Sequence, residues 1–368
     1  MQTEIRPIVL TGENGSGKTN ILEAVSFLTP GRGLRSAKLS DIKRICPPKD
    51  ENIFGAQSWS VAADILRNDE EYTIGTALQQ QSKEDFDEDE IRTYDRRIVK
   101  INGQKITQQA ELGKYISAIW VTPQMDRLFL GGTQPRRSFL DRLVYAFDLE
   151  HAKRTAGFEH LYRQWLQLLK ADQADEYWLQ SLETDMAALG VAIAAARREQ
   201  IARLNTFVER EPDDIFPDVR LELDGTIEKM LDDKPAVQVE DFYKDFLRKQ
   251  RRNVLYNDYI DGINRTDFRV YFQKKNMPAD LCSTGEQKAL LVSIILAQTQ
   301  CQILNKGFAP VLLLDEVTTH LDDIKRDALL DKIRALNLQA WITSTEPQNF
   351  ELLRHDAQFF TLKNGKIF

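Results

Sequence analysis

Gly12-Glu13-Asn14-Gly15-Ser16-Gly17-Lys18-Thr19 constrains the fold more than any other stretch, because it matches G-x-x-x-x-G-K-[ST] in the context that gives the pattern physical meaning. Residues 5–10 before it form an apolar run that reads as a buried strand, and Ile21, Leu22, Val25 and Leu28 after it fall at helical spacing. Strand, glycine-rich loop and helix together make an anion cradle. Glycines let backbone N–H groups wrap a phosphate at a helix N-terminus, Lys18 neutralises the terminal phosphates, and Thr19 offers its hydroxyl to Mg²⁺. Gly12, Asn14, Gly15, Gly17, Lys18, Thr19 and Asn20 are the candidate contacts of this loop.

Two further segments carry chemistry. Val311-Leu312-Leu313-Leu314-Asp315-Glu316 is an apolar run ending in two acids, the pattern of a central parallel strand whose carboxyl end meets a ligand. There Asp315 is placed to hold Mg²⁺ and Glu316 to take a proton from an attacking water. Ser283-Thr284-Gly285-Glu286-Gln287 precedes a long apolar helix, so its serine and amides stand at a helix N-terminus that attracts anions. Ser followed three residues later by Glu is equally a capping box, and both readings stay open from the residues alone.

Around these segments, residues 58–106 read as three alternating strands of an antiparallel meander, closed by the hairpin signal Asn102-Gly103. The acidic run Lys83-Glu84-Asp85-Phe86-Asp87-Glu88-Asp89-Glu90 reads as a solvated loop. From Pro135 the pattern turns helical. Leu179, Leu182, Met186, Leu189, Ile193 and Ala196 form a seam facing Phe158, Leu161, Trp165, Leu168 and Leu169 of a preceding helix. The expected architecture is an α/β P-loop NTPase head with a mixed sheet and antiparallel meander, interrupted by a helical arm. Residues 1–134 and 212–368 would form the head and residues 135–211 the arm.

The formal charge of −7 restricts any nucleic-acid contact to a local basic patch. Candidates are Arg248, Lys249, Arg251 and Arg252, and separately Arg136 and Arg137. Cys46, Cys282 and Cys301 have no metal-ligand spacing and read as packing residues. No apolar run suits a membrane helix and no signal peptide precedes the loop, so the expectation is a cytoplasmic protein without a membrane partner.

The order of the three segments resembles that of the ABC ATPases, in which a signature near S-G-G-x-Q precedes the magnesium-binding strand. Closer strings resemble the RecF-like branch of the SMC-type heads: Pro30-Gly31-Arg32-Gly33-Leu34-Arg35, residues 120–129 (Trp120 to Phe129), Arg136-Arg137-Ser138-Phe139-Leu140-Asp141-Arg142, and Cys282-Ser283-Thr284-Gly285-Glu286-Gln287-Lys288. The resemblance implies an ATP-dependent homodimer with Mg²⁺ and slow ATP hydrolysis. It also implies binding to duplex DNA and to its single-strand junctions, with RecR and RecO as partners. Gln124 then stands at the Q-loop, as a catalytic and metal-site residue, and Asp322 at the D-loop, while Ser283, Gly285 and Gln287 reach the nucleotide of the second copy. Arg35 reads as a nucleotide or DNA contact or, equally, as a member of a surface salt bridge. The switch histidine of transporter ATPases is absent from Trp341-Ile342-Thr343-Ser344-Thr345. The alternatives are a nucleotide-gated DNA-binding module that does not hydrolyse and, further off, a transporter motor subunit.

Overall fold

The computed structural model describes residues 1–42, 58–67, 69–83, 92–170, 175–210, 215–257, 261–363 and 365–368. The acidic run from Glu84 to Glu90, together with Cys46, lies outside them.

The chain forms two compact units, and their limits differ from 134 and 211. The first consists of Met1–Thr122, Pro310–Thr319 and Leu330–Phe368, the second of Pro123–Ala309 and His320–Leu329.

In the first unit, β1 (Ile8–Thr11) leads through the glycine-rich loop into α1 (Lys18–Ser26). The strand starts later than the apolar run because Pro7 has no N–H to give the ladder, and Ile5 is exposed. Then come β2 (Ser60–Arg67), β3 (Glu70–Lys83), β4 (Arg92–Ile101) and β5 (Gln104–Ile106), an antiparallel sheet in that order. Three of these strands are legible from alternation; β5, three residues long, is too short to show it. Asn102 and Gly103 both take positive φ, 49° and 79°, as a two-residue hairpin turn of primed type requires. β6 (Ala118–Val121) ends the N-terminal part.

The second unit contains α2 (Thr133–Tyr145), α3 (His151–Leu169), α4 (Glu176–Arg210), β7 (Val219–Asp224), α5 (Thr226–Asp233), α6 (Ala236–Asn257), β8 (Asp267–Phe272), β9 (Met277–Pro278) and α7 (Thr284–Lys306). The expected helical hairpin is α3 and α4, the latter 35 residues and therefore about 50 Å long at 1.5 Å per residue. Phe158, Trp165, Leu179, Leu182, Met186 and Ile193 are buried along its seam. The chain does not leave this unit at residue 212, because α4 is apolar on more than one side. Ile227 of α5 and Val239, Tyr243 and Leu247 of α6 join the same core. The approach is close enough that a Cβ on Gly190 would lie 2.4 Å from the Tyr243 ring, so glycine is required where α4 meets α6.

After α7, β10 (Val311–Asp315), α8 (Asp323–Ala335), β11 (Ala340–Ser344), β12 (Gln358–Lys363) and β13 (Lys366–Ile367) complete the elements. The main sheet of the first unit has the order β13-β12-β1-β11-β10-β6 and is parallel except at β13. Both faces of its central strands are covered, which is why β1 and β10 read as apolar runs. Among the described residues, no helix is long and apolar enough to cross a membrane.

Candidate nucleotide-binding site

The carboxyl ends of β1, β10 and β11 converge because β11 lies between the other two. Register places Thr343 of β11 opposite Leu10 on one side and Asp315 on the other. The glycine-rich loop leaves β1 at this edge. Gly12, Gly15 and Gly17 all have positive φ, 153°, 80° and 104°. At Gly12 the restriction is also steric, since a Cβ there would lie 2.4 Å from the Leu362 carbonyl oxygen. Lys18 is buried, and its ammonium donates to the carbonyls of Gly12 (2.6 Å) and Glu13 (3.0 Å), bridging the loop from within.

Thr19, at the first turn of α1, donates its hydroxyl to Asp315 Oδ1 at 3.0 Å. Asp315 is only 6% exposed, and among the described residues no basic side chain pairs with it. A hydroxyl and a buried carboxylate without a counter-charge form an all-oxygen donor set that fits a hard divalent cation. The next residue, Glu316, is half-buried with φ of 52°, the left-handed region, which costs a non-glycine residue about 1–2 kcal/mol. Its N–H donates to Thr343 Oγ1 at 2.9 Å, and that hydroxyl donates onward to Asp315 Oδ1 at 2.8 Å.

The Gly31–Arg35 loop lies against α1. Glu23 is buried, and one of its carboxylate oxygens accepts the Arg35 N–H at 3.0 Å. Burial pushes the Glu23 carboxyl above the usual range, opposed by that bond and by the Arg35 charge. The Arg35 guanidinium is exposed and donates to Asn20 Oδ1 at 3.2 Å, so these two candidates stand side by side at the loop's edge. Arg97 of β4 supports the same region. It donates to the carbonyls of Phe27, Thr29 (3.1 Å) and Gly31 (2.7 Å) and to Thr76 Oγ1 (2.8 Å), with burial lowering its pKa to about 10.

In the second unit, Ser283 is the N-cap of α7 and the full capping box forms. Glu286 Oε2 accepts the Ser283 N–H at 2.9 Å and the Glu286 N–H donates to Ser283 Oγ at 3.4 Å. A hydrogen bond from Lys275, with those from Ser283, holds the Glu286 carboxyl down at about 2. The capping role of this serine is therefore realised. Ser283 nevertheless faces solvent, and half-buried Gly285 has open space beside it, since a Cβ there would meet nothing within 4 Å. Gln287 differs from its expected role as a contact. It is buried at 2% exposure and its amide turns back to donate to Cys282 O at 2.9 Å, which makes it a brace for the motif. Gln124 is exposed on the 3₁₀ turn Pro123–Arg127, and Asp322 is exposed ahead of α8, accepting the Lys325 N–H at 2.9 Å. Cys282 and Cys301 are buried free thiols, as expected of packing residues.

Most of the candidate DNA-binding arginines are held internally. Arg136 makes a two-bond pair with Asp267 (2.7 and 3.0 Å), and Arg137 donates to Thr266 O at 3.0 Å. Arg251 is taken up by Glu183 (2.5 and 2.7 Å) and Glu176 (2.7 Å). Clusters of arginine in sequence do not reveal which acids lie across the fold. Arg248 and Lys249 remain exposed, and the side chain of Arg252 lies outside the described residues.

Sequence reasoning misses Thr343, Glu23 and Arg97. Only Glu23 carries a signal, an acid one helical turn after Thr19 on a helix otherwise apolar inward.

Comparison with known proteins shows the family. The RecF/RecN/SMC N terminal domain family matches residues 2–367. The DNA replication and repair protein RecF of Agrobacterium fabrum is 43% identical over 98% of this chain and 92% of its own. That of Rhizobium rhizogenes is 41% identical with the same coverage. Among solved structures, the recombination mediator protein RecF-ATPrS of the RecFOR pathway superposes with a TM-score of 0.80 at 20% identity, over all of this chain and 92% of that one. The fold is thus that of RecF and, more distantly, of the SMC head, and the chain belongs to the RecF family.

Proposed function

We propose that this chain is an ATP-driven switch that pairs head to tail with a second copy of itself and closes on duplex DNA near gaps and single-strand junctions. The observation that carries the reading is the meeting of Thr19 and Asp315 at 3.0 Å beside a loop already bridged by Lys18. The loop amides and Lys18 bind the triphosphate of ATP, and Thr19 and Asp315 would hold Mg²⁺, which supplies neutralising charge when bound; Gln124 is a further metal-site candidate by the family resemblance alone. Glu316 accepts the proton of the attacking water. Exposed Ser283 and half-buried Gly285 cap the nucleotide held by the second copy, and Asp322 lies along the same contact. Nucleotide then acts as a shared ligand whose hydrolysis releases the pair, a slow ATPase cycle more than a metabolic reaction.

RecF relatives bear the name of DNA replication and repair proteins, and the solved neighbour is a mediator of the RecFOR pathway. On that basis RecR and RecO are the proposed partners, with DNA gripped through local basic side chains such as Arg248 and Lys249. The test is light scattering of purified Glu316→Gln chain with ATP and Mg²⁺, with and without a gapped duplex. A dimer that forms only with ATP and tightens on the gapped duplex is expected; a chain that stays monomeric in every condition sinks the reading.

A further inference from the structure

We infer that Thr343 is a positioning residue for ATP hydrolysis, setting both acids at the end of β10 through one hydroxyl. The inference rests on the proposed function, because it assumes that Glu316 takes the proton. Thr343 is fully buried, so its Oγ1 has no water with which to exchange partners. It has one proton to donate, and that proton goes to Asp315 Oδ1 at 2.8 Å. As acceptor it takes the Glu316 N–H at 2.9 Å. Asp315 Oδ1 is thereby shared between the hydroxyls of Thr19 and Thr343. Two donors on one oxygen fix the carboxylate plane and leave Oδ2 for the cation side.

The second bond acts on the backbone. Glu316 has φ of 52°, a conformation an L-residue leaves readily unless something holds it, and the Thr343 bond to its N–H does so. If Glu316 relaxed toward negative φ, its side chain would swing away from the edge where β1, β10 and β11 converge. No histidine lies in the segment from Trp341 to Thr345, so no imidazole there can take over the task. Strand register is what gives one hydroxyl access to both acids, since Thr343 lies directly opposite Asp315.

The experiment compares Thr343→Val, isosteric but without the hydroxyl, with Thr343→Ser, which keeps it. Single-turnover hydrolysis, ATP affinity and thermal midpoint are measured for both against wild type and Glu316→Gln. Thr343→Val is expected to lose about 100-fold in the hydrolysis rate, as for a misplaced catalytic group, while ATP affinity stays within about 3-fold. It should also need more Mg²⁺ for half-maximal rate. Thr343→Ser is expected to recover most of the rate. If Thr343→Val does not fold, Thr343→Ala is read by the same criteria. A Thr343→Val chain that hydrolyses like wild type overturns this inference alone. So does a Thr343→Ser chain as slow as Thr343→Val, since packing would then be what matters. A wild type no faster than Glu316→Gln overturns the inference together with the hydrolytic reading.

Discussion

Arg197 of α4 grips Asp141 of α2 through two parallel hydrogen bonds, Nε to Oδ1 at 2.8 Å and Nη2 to Oδ2 at 2.9 Å, with both residues buried. His151 Nε2 shares Asp141 Oδ1 at 2.8 Å, and Arg197 also donates to Ile263 O at 2.9 Å and lies 3.6 Å from Glu228. The second unit is therefore tied through its middle by ionic groups. Removing one member strands the others without water: Arg197→Met is expected to cost about 3–5 kcal/mol of stability, read as a lowered urea midpoint.

The same pair predicts an acid transition. Burial alone would raise the Asp141 pKa, but the Arg197 charge and the bonds from His151 and Arg197 outweigh it and bring it from 3.8 to about 2. A depressed carboxylate pKa stabilises the fold above the unfolded value, and that contribution is lost as pH falls from about 4 toward about 2. It amounts to about 2 kcal/mol at 1.36 kcal/mol per pH unit. Urea midpoints at pH 7, 4 and 2.5 should fall mainly in the last interval, and Asp141→Asn should remove that part of the fall.

Arg251 and Arg248 should behave oppositely although they are three residues apart. Glu183 is fully buried with Arg251 and the Trp165 N–H (3.0 Å) as its partners, so Arg251→Ala is expected to cost about 3 kcal/mol. Exposed Arg248 and Lys249 should change stability by less than about 0.5 kcal/mol when replaced by Ala. If they touch DNA, the slope of log affinity against log salt becomes shallower by about 0.9 for each phosphate no longer neutralised. An unchanged slope would remove them from the interface.

Ser283 can be tested without confusing its two roles. Ser283→Ala loses the cap and about 1 kcal/mol, so reduced dimerisation in that variant says little. Ser283→Asp keeps a good N-cap but sets a carboxylate where the proposed second nucleotide presents its terminal phosphate. The hydroxyl bond to Glu286 Oε2 (2.9 Å) is lost in both variants, so the thermal midpoint is compared with that of Ser283→Ala, and ATP-dependent pairing in light scattering is expected to be abolished in Ser283→Asp alone. Retained pairing would make Ser283 a helix cap and nothing more.

Gly12→Ala should weaken ATP binding by on the order of tenfold or more, because the new methyl would stand 2.4 Å from the Leu362 carbonyl oxygen and force the loop off its path. Gly15→Ala meets no neighbour within 4 Å and differs only through its φ of 80°. Isothermal titration of both variants with ATP should therefore show the larger loss at Gly12.

The sequence by itself determined the elements whose physics is local. Glycines at fixed offsets specify the loop, a triple leucine run specifies a strand covered on both faces, and heptad-like spacing specifies α3 against α4. Asn102-Gly103 specifies its turn because few residue pairs accept two positive φ values. Tertiary structure decided everything that depends on what lies across a gap in the chain. Thr343 reaches Asp315 only because β11 inserts between β1 and β10, and no local pattern encodes strand order. Residues 215–309 stay with the helical unit because α4 presents apolar surface to α5 and α6 as well as α3. Arg136, Arg137 and Arg251 look like free charges in a linear string, and are not, because a guanidinium's partner is set by proximity in space and not by separation along the backbone.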